Sequence, residues 1–125
     1  MAPEAFQYAV LRVVPDLDRG EALNVGVVVF SRRHRFLAGR FAVDEARLRA
    51  AFPAIDVEAL REHLDGLARV ASGDPEGGAV ARMDPSDRFG WLAAPSSTIV
   101  QPSAVHTGLC DDPQRLLDRL FERLV

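Results

Sequence analysis

Apolar residues recur at every second position over residues 6–14, and a period of two predicts a strand. Phe6, Tyr8, Val10 and Val14 share one face, with Arg12 among them, while Ala9, Leu11 and Val13 share the other. Both faces are apolar enough to be covered. Pro15 ends the pattern, and residues 15–21 read as a polar loop. Residues 23–30 form the densest β-branched run of the chain and predict a second strand. Ser31, Arg32, Arg33 and His34 read as a turn into a third strand over residues 35–43, with Leu37 and Phe41 on one face. Strands this close in sequence pair most often as an antiparallel meander.

The period then changes to that of a helix. Asp44 is placed to cap a short helix bearing Leu48 and Phe52 and ending at Pro53. From Asp56 onward, Val57, Leu60, Leu64, Leu67 and Ala71 make one apolar stripe at spacings of three and four. Residues 72–78 are rich in Gly, with Pro and Ser, and read as a flexible internal loop too short to link two domains. Asp84 and Pro85 open a short helix carrying Phe89, Trp91 and Leu92, and residues 98–101 read as a fourth strand ended by Pro102. Asp112 with Pro113 begins the clearest helix, whose stripe is Leu116, Leu117, Leu120, Phe121 and Leu124. The expected fold is α+β: a single domain over residues 1–125, in which a three-stranded N-terminal meander plus a later strand forms an antiparallel sheet packed on one face by two to four helices.

Composition narrows the setting. The chain has 125 residues, 48% of them hydrophobic and 26% charged, enough for a core without a metal or disulfide. One cysteine, Cys110, makes no internal disulfide, no apolar run is long enough to span a bilayer, and residues 1–6 show no leader, so the cytoplasm is the expected compartment. All fifteen basic residues are Arg, which we attribute mainly to codon bias, and the net charge of −3 argues against non-specific nucleic-acid binding.

Two segments resemble a known bacterial family. The first comprises Tyr8, Val10, Arg12 and Pro15, running on through Arg19, Gly20, Glu21, Leu23, Asn24, Val25 and Gly26. The second is Trp91, then Pro95, Ser96, Ser97, Thr98, Ile99, Val100, Gln101, Pro102 and Ser103, followed by His106, Gly108, Asp112 and Pro113. In this order they resemble domain of unknown function 3037, over nearly the whole chain. An Arg often precedes the Ser-Thr pair in that family, and here Ser96 or Ser97 stands in its place. The family has no established activity. Its members resemble genomic neighbours of kinases similar to the HipA toxin, which implies a toxin–antitoxin setting and a HipA-like kinase as partner.

Candidate chemistry is thin. Glu21, Asn24 and Gly26 around the second strand, and Thr98, Gln101 and His106 around the fourth, form one candidate polar site. Gly26 leaves room for a ligand or for an aromatic ring, and Asn24 either lines a notch or caps a backbone end. His106 is the residue suited to proton transfer near neutral pH, but Ser97 or Ser103 nearby in sequence does not establish a nucleophile–base pair. His106 and Cys110 are four apart without a second ligand pair, so neither metal nor cofactor is expected. Arg32, Arg33 and Arg35 belong to a run of six Arg that includes Arg40, Arg47 and Arg49, against only Asp44 and Glu45. They are the candidate contact for an anion or an acidic partner. The favoured expectation is a non-enzymatic interaction module that accompanies a HipA-like kinase. The alternative is a small enzyme acting on a phosphorylated or nucleotide substrate around Asn24, Gln101 and His106.

Overall fold

The alternating N-terminal segment forms the longest strand, β1 (Glu4–Val13), in the computed structural model of the chain, which describes residues 2–96 and 98–125. Met1 and Ser97 lie outside the described residues. β2 (Leu23–Ser31) pairs antiparallel with β1, and β3 (Phe36–Phe41) antiparallel with β2, giving the expected meander. The third strand is shorter than its apolar pattern, because Arg35 closes the turn. Its backbone is left-handed, with φ 52°, and its N–H donates to the Arg32 carbonyl at 3.1 Å.

Two later strands share the outer edge of β1. β4 (Val100–Pro102) lies beside Leu11, Arg12 and Val13, and β5 (His106–Cys110) lies beside Glu4 through Tyr8. Strand order is therefore β3-β2-β1, with β4 and β5 set end to end on the far side. The expected single later strand is corrected to two, because residues 106–110 also pair with the edge of β1. Ser103 bridges the gap. Its N–H donates to the Val10 carbonyl at 2.7 Å, and its Oγ accepts from the Val10 N–H at 2.8 Å, so the exposed edge of β1 loses no partner between the two short strands.

Four helices cover this sheet, α1 (Glu45–Ala51), α2 (Val57–Ser72), α3 (Pro85–Ala93) and α4 (Pro113–Leu124). Each begins at an aspartate. Asp44, Asp56 and Asp112 accept backbone N–H bonds from the first turn, and Pro follows at the starts of α3 and α4. Residues 73–78 cap α2 and form a 3-10 turn at Pro75–Gly77.

The helices take both faces rather than one. Leu48 of α1, Leu60 and Leu64 of α2 and Phe89 and Leu92 of α3 bury Leu11, Val13, Val28 and Phe30. Leu116 and Leu117 of α4 pack with Phe6, Val27, Val29 and Cys110 on the opposite side. The cause lies in β2, where Val27, Val28 and Val29 are fully buried in succession, so apolar side chains project both ways and both faces need a roof. Among the described residues, no helix is long and apolar enough to cross a membrane.

Candidate functional site

A bulge decides how the first polar candidates are used. Leu11 pairs with Gly26 and Arg12 with Asn24, leaving Val25 as the extra residue of β2. Gly26 and Asn24 therefore face opposite sides. A Cβ on Gly26 would lie 2.5 Å from Phe41 Cδ1, so this position makes room for the Phe41 ring. Asn24 turns to α4, where its Nδ2 donates to the Leu124 carbonyl at 2.9 Å and satisfies a helix end. The two do not form a shared notch.

The remaining polar candidates scatter. Asn24, Arg12 and Gln101 lie in register across β2, β1 and β4, which separates Asn24 and Gln101 by two strand spacings, about 10 Å. Gln101 Nε2 donates to the Thr98 carbonyl, and Thr98 Oγ1 donates to the Val100 carbonyl at 3.1 Å. Glu21 pairs with Arg19 in the exposed 15–21 loop and lines a cavity of about 630 Å³ with Phe52, Ile55 and Ile99. Thr98 lines a second cavity beside Trp91, and Gln101 a third beside Arg12. His106 is exposed and stacks on Tyr8, with ring centroids 5.0 Å apart. Glu21 and His106 thus lie apart from the contacting pair Thr98 and Gln101, and no described hydroxyl or thiol is hydrogen-bonded to His106 as a nucleophile would be to its base.

The arginine run is likewise divided. Arg40 pairs with Asp118 of α4 at 3.0 Å and lies 4.2 Å from the Phe121 ring centroid, whereas Arg49 pairs with Glu45 within α1 on the other side of the sheet. Such a division offers no single basic face for a nucleic-acid backbone. Arg32, Arg33 and Arg35 stay together on the turn between β2 and β3. Arg32 donates to Ser86 Oγ at 3.1 Å and stands 5.9 Å from the Phe30 ring centroid. Among the described residues, none of the three has an acidic partner within ion-pair distance. Arg32 and Arg33 border a groove of about 740 Å³ between β5 and α3, floored by Ala5, Gln7, Phe30, Phe89, Val105 and Thr107. Leu109, 70% exposed, pairs with Ala5 in the register that continues this surface, at the open edge of the sheet.

Arg12 is the residue that sequence reasoning passed over. It is half-buried in the centre of the sheet, Nη2 donates to the Pro102 carbonyl at 3.4 Å, and Nε is sheltered from water without a hydrogen-bond partner. The hint available beforehand was one cation within the alternating apolar face of Tyr8, Val10 and Val14. Cys110 is buried at the end of β5, where burial first, and Asp111 and Asp112 second, push its thiol pKa up. The thiol therefore stays protonated and unreactive near neutral pH. Its backbone carbonyl meets His34 Nε2 at 3.0 Å, which ties the β2–β3 turn to β5. Among the described residues, no three His, Cys, Asp or Glu side chains gather as metal ligands.

No curated protein and no solved structure matches the chain. The family model described as protein of unknown function (DUF3037) matches residues 8–125, which spans both motifs, the whole sheet from Tyr8 onward and all four helices, and the chain belongs to that family.

Proposed function

We propose that this chain is a non-enzymatic interaction module of the bacterial cytoplasm that receives an acidic, partly apolar segment of its partner at the turn of Arg32, Arg33 and Arg35. The observation that carries the reading is the coincidence of three arginines without acidic partners among the described residues and an adjoining apolar groove between β5 and α3. The arginines favour an acidic occupant by charge complementarity, and the groove floor offers burial to its apolar residues. That Glu21 and His106 lie apart from Thr98 and Gln101 favours binding over chemistry. A HipA-like kinase is the partner to try first, on the strength of the family's genomic setting.

The test is titration of a purified HipA-like kinase with the full chain and with the triple variant Arg32→Glu, Arg33→Glu, Arg35→Glu. We expect a micromolar or tighter complex, weakened at least about 10-fold by charge reversal, with a smaller difference at high salt because these side chains are exposed. Absence of a complex at micromolar concentration removes the kinase as partner. A complex indifferent to the reversal removes the arginine turn as the docking site.

A further inference from the structure

We propose that the cavity beside Arg12 binds a monoanionic carboxylate carried on an apolar body. This site adjoins the docking groove, with which it shares Val105, but includes none of the three arginines of the turn. Arg12 projects from the middle of β1, where folding removes much of its side chain from water. Among the described residues it has no acidic partner, and of its five N–H donors only one at Nη2 reaches a protein acceptor, the Pro102 carbonyl, at the long distance of 3.4 Å. Withdrawing a cation from water without a counter-charge is unfavourable, and an incoming anion relieves it. Nε is shielded from water and unpartnered, so the donors left for a ligand are those of the two Nη groups.

The cavity that Arg12 lines measures about 430 Å³, within the range that holds small organic ligands. Val14, Leu17, Ala22, Pro102 and Val105 supply apolar walls, and Gln101 is the second polar side chain with capacity to spare. Its Nε2 uses one N–H on the Thr98 carbonyl and retains the other. Ser103 shapes the wall without offering a donor, since its hydroxyl already donates to the Ala104 carbonyl at 2.9 Å. One cation matches one negative charge. A phosphate dianion calls for a second, and Arg19 of the 15–21 loop is paired with Glu21 and lines a different cavity. Guanidinium recognition of a carboxylate with apolar walls around its tail is therefore the chemistry the site fits best. The carboxylate comes either from a free acid or from the C-terminus of a peptide.

The experiment uses the full chain and isothermal titration with octanoate, octanamide, octyl phosphate, and a short leucine-ended peptide in free-acid and C-terminally amidated forms. We expect a carboxylate probe to bind, with its amide and octyl phosphate each at least about 10-fold weaker. Tighter binding of the peptide acid assigns the source to a protein terminus, and tighter binding of octanoate assigns it to a small molecule; both support the site. Arg12→Gln abolishes binding and, because it removes an uncompensated charge, leaves the thermal midpoint unchanged or higher. Gln101→Ala weakens binding while preserving the preference for acid over amide. The triple reversal at Arg32, Arg33 and Arg35 leaves carboxylate binding intact, which separates this site from the docking turn. No binding of either carboxylate at millimolar concentration, equal binding of acid and amide, or full binding by a folded Arg12→Gln chain overturns the proposal. If Arg12→Gln fails to fold, the acid–amide comparison on the unaltered chain still decides it.

Discussion

Gly26 and Asn24 stand two positions apart in β2, yet they serve different neighbours because Val25 bulges between them. The Phe41 ring occupies the space that a side chain at Gly26 would need, and it also crowds Gly39, where a Cβ would sit 2.9 Å from Phe41 Cε2. The ring is thus held in a slot between two glycines of adjacent strands. Adding one methyl at Gly26 forces the ring out of this slot, and overpacking of that kind costs about 1–3 kcal/mol. Gly66 of α2 has nothing within 4 Å of a Cβ and serves as the control. There, Ala gains helix propensity of about 1 kcal/mol. Urea unfolding is expected to show Gly26→Ala losing stability and Gly66→Ala gaining it. A neutral Gly26→Ala means that the slot is wider than described.

The end of α2 illustrates how one element completes another. Gly73 takes the left-handed conformation with φ 72° and closes the last turn through its N–H. The Val70 carbonyl takes that N–H at 3.2 Å, and Arg88 of α3 adds donors to it and to the Ala71 carbonyl. Its Nη1 donates to the carbonyls of Val70 at 2.9 Å and Ala71 at 3.0 Å, while Nε holds the Met83 carbonyl at 3.0 Å. A guanidinium at a helix C-terminus also meets the negative end of the helix dipole. Arg88→Met keeps the apolar stem and removes the donors. It is expected to lower stability by about 2 kcal/mol, a charge-assisted network being involved, and to speed amide hydrogen exchange in the last turn of α2 more than at its start. Uniform exchange along α2 counts against this capping role.

For the molecule as a whole, β2 is the shared wall between two packed layers. Val28 and Phe30 face α2 and α3, whereas Val27 and Val29 face α4. Loss of packing on one side therefore weakens the strand that the other side needs. Leu117, 1% exposed beneath α4, is the central contact of the smaller layer. Leu117→Ala is expected to cost about 2–5 kcal/mol and still give one unfolding transition, with calorimetric and van't Hoff enthalpies equal. Two separate transitions in the variant mean that α4 docks independently of the other layer.

The amino-acid order alone determined the three strands of the meander and the four helices, because the period of two in β1, the β-branched run of β2 and the stripes of α2 and α4 each record local burial. It also determined the caps, since Asp44, Asp56 and Asp112 bond backbone groups only two or three residues away. Tertiary structure decided the rest. A stripe shows that a helix needs cover but not which face of a sheet provides it, so the opposite placement of α4 was illegible. β5 escaped notice because its five residues include Gly108 and lack a buried alternation, and it is a strand only because β1 has an edge to satisfy. The candidate polar residues came in two sequence clusters, and one bulge and the end-to-end placement of β4 and β5 divided each of them. The same assembly drew Arg12 into the sheet without a counter-charge among the described residues, a property of neighbours distant along the chain that no local pattern contains.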